Sequence, residues 1–168
     1  PSYSDEEIER YLKRNGIKYS KLGRAELLKK VARLLAAKKT VGWFHGRAEF
    51  GPRALGNRSI LADPRAKDMR NIINSKVKFR EPFRPFSPSV LSEKAGEYFD
   101  LRCENPYMLF VSRVKKKGFP AVTHVDNSAR AQTVKRKDNP LFYDLINQFY
   151  RYYGCPMVVN TSFNRMGE

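Results

Sequence analysis

Apolar residues recur at helical spacing through residues 24–38, where Leu27, Leu28, Val31, Leu34 and Leu35 share one face. The same period runs through 140–153, which opens on Pro140, a residue suited to a first helical turn. Residues 68–77 place Met69, Ile72 and Ile73 on the inward side of a third helix. A fourth helix, 5–14, is announced by its start: Ser4 with Glu7 three residues on makes a capping box, and Gly16 ends it. Short apolar runs at 40–44, 59–62, 132–134 and 157–160 predict strands, and 107–114 predicts a longer one. Pro82, Pro85 and Pro88 forbid a helix through the middle of their segment. With no internal repeat or low-complexity linker, the pattern predicts one layered domain of the α/β (α+β) class over residues 1–168.

Composition narrows the class. A chain of 168 residues with nine Tyr, eleven Phe and one Trp can bury a proper core, which argues against disorder. No apolar run approaches a membrane span and no signal-peptide pattern opens the chain, so a cytoplasmic protein with no membrane partner is expected. Cys103 and Cys155 have no metal-ligand spacing and suggest no disulfide framework. Pro1 at the start and Gly167-Glu168 at the end read as an excised domain.

Charge changes the picture more. Lys and Arg number 33 against 17 Asp and Glu, a net charge of +16. Such a chain repels itself and attracts polyanions: nucleotides, nucleic acid or an acidic partner domain. The runs Lys115-Lys116-Lys117 and Lys135-Arg136-Lys137 read as solvated turns.

Four clusters concentrate the chemistry. Residues 46–59 carry three arginines (Arg47, Arg53, Arg58), three glycines (Gly46, Gly51, Gly56) and Glu49, directly after an apolar strand. Glycine lets backbone approach a ligand, and arginine offers a planar fork for phosphate or carboxylate oxygens. Pro52 aims Arg53 toward a ligand, whereas Arg58, beside a strand, is expected to pair with a carboxylate such as Asp63 or Glu49. The second cluster, 78–88, spaces Lys78, Arg80 and Arg84 among aromatics and prolines, with Ser87 at its end; the stiff backbone lowers the ordering entropy of anion binding. The third, 123–132, is polar and holds Ser128 and Arg130, and reads equally as a plain turn. The fourth, 160–164, brings Ser162 and Asn164 to a strand end, either to bind or to cap. Other readings fail. The spacing from Gly51 to Gly56 is followed by Asn57-Arg58-Ser59, which is not a Walker loop. His45 and His124 have no partner at metal-binding spacing and read as hydrogen-bonding loop residues. No Gly-x-Ser-x-Gly elbow occurs.

Taken in order, these clusters resemble the C-terminal domain of the carbamoyltransferase family that includes NodU-type nodulation proteins and antibiotic carbamoyltransferases. The resemblance rests on Gly42-Trp43-Phe44 running into Arg47, on the stretch from Glu49-Phe50-Gly51-Pro52-Arg53 to Asp63-Pro64-Arg65, on Arg84-Pro85-Phe86 with Pro88, and on Val159-Asn160-Thr161-Ser162-Phe163-Asn164. It implies a YrdC-like fold, a twisted mixed sheet flanked by helices with a basic concave face. The Lys-x-Arg element of that fold maps onto Lys78-Phe79-Arg80, and its Ser-x-Asn element onto Ser162-Phe163-Asn164. The implied reaction joins carbamoyl phosphate to ATP, releasing pyrophosphate and giving carbamoyl adenylate. An iron-binding N-terminal domain of the same polypeptide then carries the carbamoyl group to an acceptor hydroxyl. On this resemblance Lys78, Arg80, Arg53 and Arg130 are the expected catalytic cations. Arg47, Gly51, Arg84, Ser87, Ser128, Ser162 and Asn164 are the expected substrate or nucleotide contacts. Mg²⁺ is expected on the nucleotide, with no metal site in this chain. The departures are His45 where glutamine is usual, Asn127 where glycine is usual, and Arg165-Met166 in place of a small or apolar pair. The alternative is a basic RNA-binding module of the same fold without catalysis of its own.

Overall fold

Five strands form one mixed sheet in the computed structural model, which describes residues 2–164. The Arg165-Met166 departure therefore lies outside the described residues. The elements are helix α1 (Asp5–Arg14), helix α2 (Arg24–Ala36), strands β1 (Val41–Phe44) and β2 (Arg58–Ala62), helix α3 (Met69–Ile73), a π-helical turn (Asn74–Lys78), strand β3 (Ser87–Leu91) and helix α4 (Ser92–Tyr98). They continue through strands β4 (Ser112–Arg113), β5 (Ser128–Ala129) and β6 (Gln132–Val134), helix α5 (Pro140–Tyr153) and strand β7 (Met157–Ser162). The sheet runs in the order β1-β2-β7-β3-β6. Its first three pairings are antiparallel, and β3 with β6 is parallel. Strands β4 and β5 form a separate antiparallel pair.

The helical periodicities explain the layers. In α2, Leu28, Val31, Ala32 and Leu35 are buried, and in α5, Phe142, Leu145, Ile146 and Phe149 are. These stripes join Trp43, Leu61, Val90 and Val158 in the larger core. A smaller core on Ala62, Val159 and Phe86 takes Met69 and Ile73 from α3 and Ala121 and Val122 from a loop. Asp63 locks the layers: it is 4% exposed and meets the Arg65 guanidinium, whose Nη1 donates to the Tyr153 carbonyl (2.6 Å) at the end of α5. Helix α1 buries no residue and stands on its capping box, Ser4 N–H to Glu7 Oε2 (2.7 Å) and Glu7 N–H to Ser4 Oγ (3.2 Å).

Two predicted elements need correction. The strand over 107–114 reduces to Ser112–Arg113. Buried Asn105 competes with a ladder there: its Oδ1 accepts from the N–H of Leu109 (2.8 Å), and its Nδ2 donates to the carbonyls of Phe110 (2.9 Å) and Ala131 (2.8 Å). Met108 adopts φ +55, and Tyr107, Leu109, Phe110 and Val111 end up exposed rather than in the core. The helix over 68–77 is α-helical only to Ile73 and then widens into the π turn. Asn74 is fully buried there, and its Nδ2 donates to the Arg84 carbonyl (2.9 Å). Asn127, where glycine was expected, adopts φ +61, a conformation asparagine tolerates better than most residues.

Gly56 adopts φ +106, and a Cβ there would run into the Phe142 ring of α5. Gly56→Ala is therefore expected to destabilise the chain by about 2–4 kcal/mol, combining backbone strain with overpacking. Urea unfolding measures this; a loss below about 0.5 kcal/mol would show that the contact relaxes freely.

Candidate anion-binding site

Lys78 ends the π turn, 4% exposed. Its ammonium donates to four oxygens: the Ser162 carbonyl (2.5 Å), Ser162 Oγ (3.0 Å), the Asn164 carbonyl (2.7 Å) and Asn164 Oδ1 (3.0 Å). Ser162 Oγ donates in turn to Asn164 Oδ1. Lys78 of the Lys-x-Arg element and Ser162 and Asn164 of the Ser-x-Asn element thus form one partly buried knot. Burial, and then the Arg80 charge, pull the Lys78 pKa down to about 8. The four acceptors favour the ammonium form.

The next two residues turn away from the knot. Phe79 adopts φ +50, an unusual state for an aromatic residue, and stands exposed. That left-handed step sends Arg80 the other way. Its Nε donates to Asn74 Oδ1 (2.8 Å), and its guanidinium lies 4.8 Å from the centre of the Phe86 ring. Arg80 then lines an open cleft of about 690 Å³ together with Arg53, Arg84, Ser87, Ser128 and Arg130. Six of the sequence-selected residues, drawn from three of the four clusters, meet there. Lys78, Ser162 and Asn164 form the knot behind it, while Arg47 and Gly51 are exposed and do not line the cleft.

The cleft is electropositive because its arginines outnumber its acids among the described residues. Arg53 has no partner among the described residues, and Arg130 Nε is buried without one. Burial and then the Arg53 charge push the Arg130 pKa below the ordinary guanidinium range; burial and then Arg84 do the same to Arg80. Arg84 reaches Glu81 at 3.5 Å, an exposed pair. Among the described residues, the carboxylate on the lining is Asp126, and it is occupied: its Oδ1 accepts from Ser128 Oγ (2.6 Å) and Ser128 N–H (3.0 Å) and lies 3.0 Å from His124 Nδ1. Like charges held together with fewer counter-ions than cations favour an anion between them. Among the described residues no group of His, Cys, Asp and Glu could hold a metal ion, and no helix is long and apolar enough to cross a membrane.

Arg58 differs from the expectation. It pairs with carbonyls, not with a carboxylate: Nη1 donates to the His45 carbonyl (2.8 Å) and Nη2 to the Gly46 carbonyl (3.0 Å), and its guanidinium lies 3.4 Å from the centre of the Phe44 ring. Asp63 is already taken by Arg65, and Glu49 Oε1 is spent on the backbone N–H groups of Leu55, Asn57 and Arg58. Burial opposes ionisation of Glu49, but these donors outweigh it and hold its pKa below the usual carboxylate value.

A family model described as the carbamoyltransferase C-terminus matches residues 32–168. The chain belongs to this family. Nodulation protein NolO of Bradyrhizobium diazoefficiens is 53% identical over 134 residues, which take in 76% of this chain and 24% of that protein. A 3'-hydroxymethylcephem-O-carbamoyltransferase of Amycolatopsis lactamdurans is 44% identical over 135 residues, 80% of this chain and 26% of its own. The uncharacterized protein sll1178 of Synechocystis is 46% identical across the whole chain and 31% of its own length. The chain thus spans less than a third of each of these relatives. In this carbamoyltransferase C-terminal domain, sequence reasoning assigned no role to Asn74 and gave Glu49 only as a partner for Arg58, not as the holder of the loop backbone. A polar residue after Ile72-Ile73, and a lone acid in a basic loop, were the available signals.

The Lys78 pKa gives a signed test. Near 8 when folded and near 10.5 when unfolded, Lys78 leaves the unfolded chain with more bound protons between those values. Its contribution to stability is full above pH 10.5 and is lost as pH falls through 8. The stability difference between wild type and Lys78→Met should therefore move toward wild type as pH rises from 8 to 10.5. Urea unfolding of both proteins across that window measures it, and a flat difference would show that Lys78 titrates normally.

Proposed function

We propose that this domain binds ATP and carbamoyl phosphate and forms carbamoyl adenylate: water takes the phosphoryl group of carbamoyl phosphate as inorganic phosphate, and the carbamate oxygen so freed displaces pyrophosphate from the α-phosphate of ATP. The observation that carries the reading is the convergence of Arg53, Arg80, Arg84 and Arg130 on one cleft with little acid to neutralise them. Adenylation gathers negative charge on the α-phosphate and on the leaving pyrophosphate. Fixed guanidinium groups stabilise that charge and hold the reactants in line. Arg80 and Arg130 are the best placed, because each is partly desolvated. Ser87 supplies a hydroxyl on the same lining, with Ser128 beside it once its hydroxyl turns from Asp126, and Mg²⁺ is carried on the nucleotide. Lys78 acts from behind, fixing Ser162 and Asn164 relative to Arg80.

The carbamoyl group then passes to an acceptor on the remainder of a longer protein, as the names and lengths of the relatives suggest. Exposed Phe50, Tyr107, Leu109 and Val111 line a second cleft that shares Arg53 and Arg130 with the first. An apolar band of this kind suits a partner domain that closes over the site. The net charge of +16 favours a second reading, an RNA-binding module. Salt separates the two: RNA affinity falls steeply with salt and ignores the identity of one nucleotide.

Arg80→Ala is expected to weaken ATP binding about tenfold to a hundredfold, the loss of a charge-assisted contact. Calorimetry on folded protein measures it, and unchanged affinity would remove Arg80 from the site. The function itself is tested by ATP–pyrophosphate exchange. Exchange should appear only with carbamoyl phosphate present; exchange indifferent to it, or RNA binding without ATP selectivity, contradicts the proposal.

A further inference from the structure

From the Ala54 carbonyl to the Arg58 N–H, most of the backbone polar groups in the basic loop are held. Asn160 Nδ2 donates to the Ala54 carbonyl (3.0 Å), and Gln132 Nε2 to the Leu55 carbonyl (3.0 Å). The N–H groups of Leu55, Asn57 and Arg58 all donate to Glu49 Oε1, at 2.8, 2.7 and 3.1 Å. The Gly56 N–H donates to Ser59 Oγ (3.1 Å). The Asn57 carbonyl accepts from the His45 N–H (3.0 Å). The residues just before differ: among the described residues no hydrogen bond holds the backbone of Gly51 or Arg53, or the Arg53 guanidinium. A fixed base therefore carries a free tip.

The two sides of the restraint use opposite chemistry. A carboxylate only accepts, so Glu49 collects N–H groups; the two amides donate, so they collect carbonyls. The amides are themselves seated by Ser89, whose Oγ donates to Gln132 Oε1 (2.6 Å) and accepts from Asn160 Nδ2 (3.0 Å). Ser89, Gln132 and Asn160 lie on the neighbouring strands β3, β6 and β7, all buried. Polar groups at the centre of a sheet are unfavourable unless bonded, and apolar side chains would pack there as well. Their polarity is used where it meets the loop.

We propose that Glu49, Gln132 and Asn160 are positioning residues: they fix the base of the loop so that Arg53 emerges into the cleft it shares with Arg130, and so set the affinity of that cleft for a nucleotide phosphate. The proposal rests on the nucleotide reading above. Arg53 and Arg130 line both adjoining clefts, and the unpartnered Arg130 Nε leaves a donor for the same anion. Without the clamp, the backbone on either side of Arg53 would be loose as well as its side chain, and more of the binding would be spent on ordering the loop.

The test is a double-mutant cycle read by ATP calorimetry on the chain. Arg53→Ala should weaken ATP about tenfold. Glu49→Ala should weaken it by a similar factor, and adding Arg53→Ala to it should change little more. Arg80→Ala in the same Glu49→Ala background should keep its full effect. Glu49→Gln, which retains an acceptor oxygen, should recover most of the affinity. Hydrogen exchange supplies a readout without ligand: the Leu55, Asn57 and Arg58 amides should be protected in wild type and in Glu49→Gln and exposed in Glu49→Ala. Should Glu49→Ala fail to fold, Gln132→Leu removes the donor to the Leu55 carbonyl and takes its place in the cycle. Fully additive losses with Arg53→Ala, or unchanged affinity in a folded clamp variant, overturn the clamp alone. A wild-type chain that binds no ATP overturns the nucleotide reading, and the clamp's ligand role with it.

Discussion

The burial of one uncompensated ammonium governs the arrangement around it. Lys78 sits behind the cleft with oxygens, not a carboxylate, around its charge. Removing it would leave the Ser162 and Asn164 carbonyls without this donor. Because the ammonium draws the end of β7 against the π turn, the residue two positions on, Arg80, is fixed relative to the sheet. The left-handed Phe79 between them makes opposite directions possible for Lys78 and Arg80. Strain of that kind persists only where surroundings over-determine it. Here Asn74 does so, holding Arg80 Nε from inside the turn and the Arg84 carbonyl beyond it.

The same economy of acids runs through the site. Glu49 and Asp63, acids expected to neutralise an arginine, are engaged elsewhere: Glu49 with three backbone N–H groups and Asp63 with Arg65. Asp126, the carboxylate within the cleft, is bonded to Ser128. Of the arginines facing the cleft, Arg80 and Arg130 are half-buried, where charges interact more strongly than in water, while Arg53 and Arg84 are exposed. An anion of the kind proposed would gain from relief of the repulsion among these arginines as well as from direct contact. The arrangement also explains why charge surplus alone was a poor guide: Lys115-Lys116-Lys117 and Lys135-Arg136-Lys137 contribute to the +16 but not to this cleft.

Much of the fold was legible in the sequence. The helices 5–14 and 140–153 and the strand 132–134 fall where period and caps placed them, because each buries or solvates a stripe that the pattern marks. Strand β3 and helix α4 escaped notice, since Pro88 masks a strand and α4 lacks a long apolar period. The run 107–114 misled, because apolar content was read as burial while Asn105 held the backbone in a loop. For the site, residue types and order identified the right segments. They could not show that Lys78 turns inward and Arg80 outward, or that Arg58 meets carbonyls, since both depend on non-local packing against β1 and β7.

The central claim is that the four arginines of the cleft, and not the basic surface at large, receive a nucleotide's phosphates. The most direct measurement follows arginine side-chain Nε–Hε resonances by NMR while ATP is added. The Arg80 and Arg130 signals should shift with a common saturable dependence on ATP, and the Arg53 signal should sharpen as that side chain becomes ordered. Shifts confined to other arginines such as Arg33 or Arg136, or a response that grows without saturation, would contradict the account.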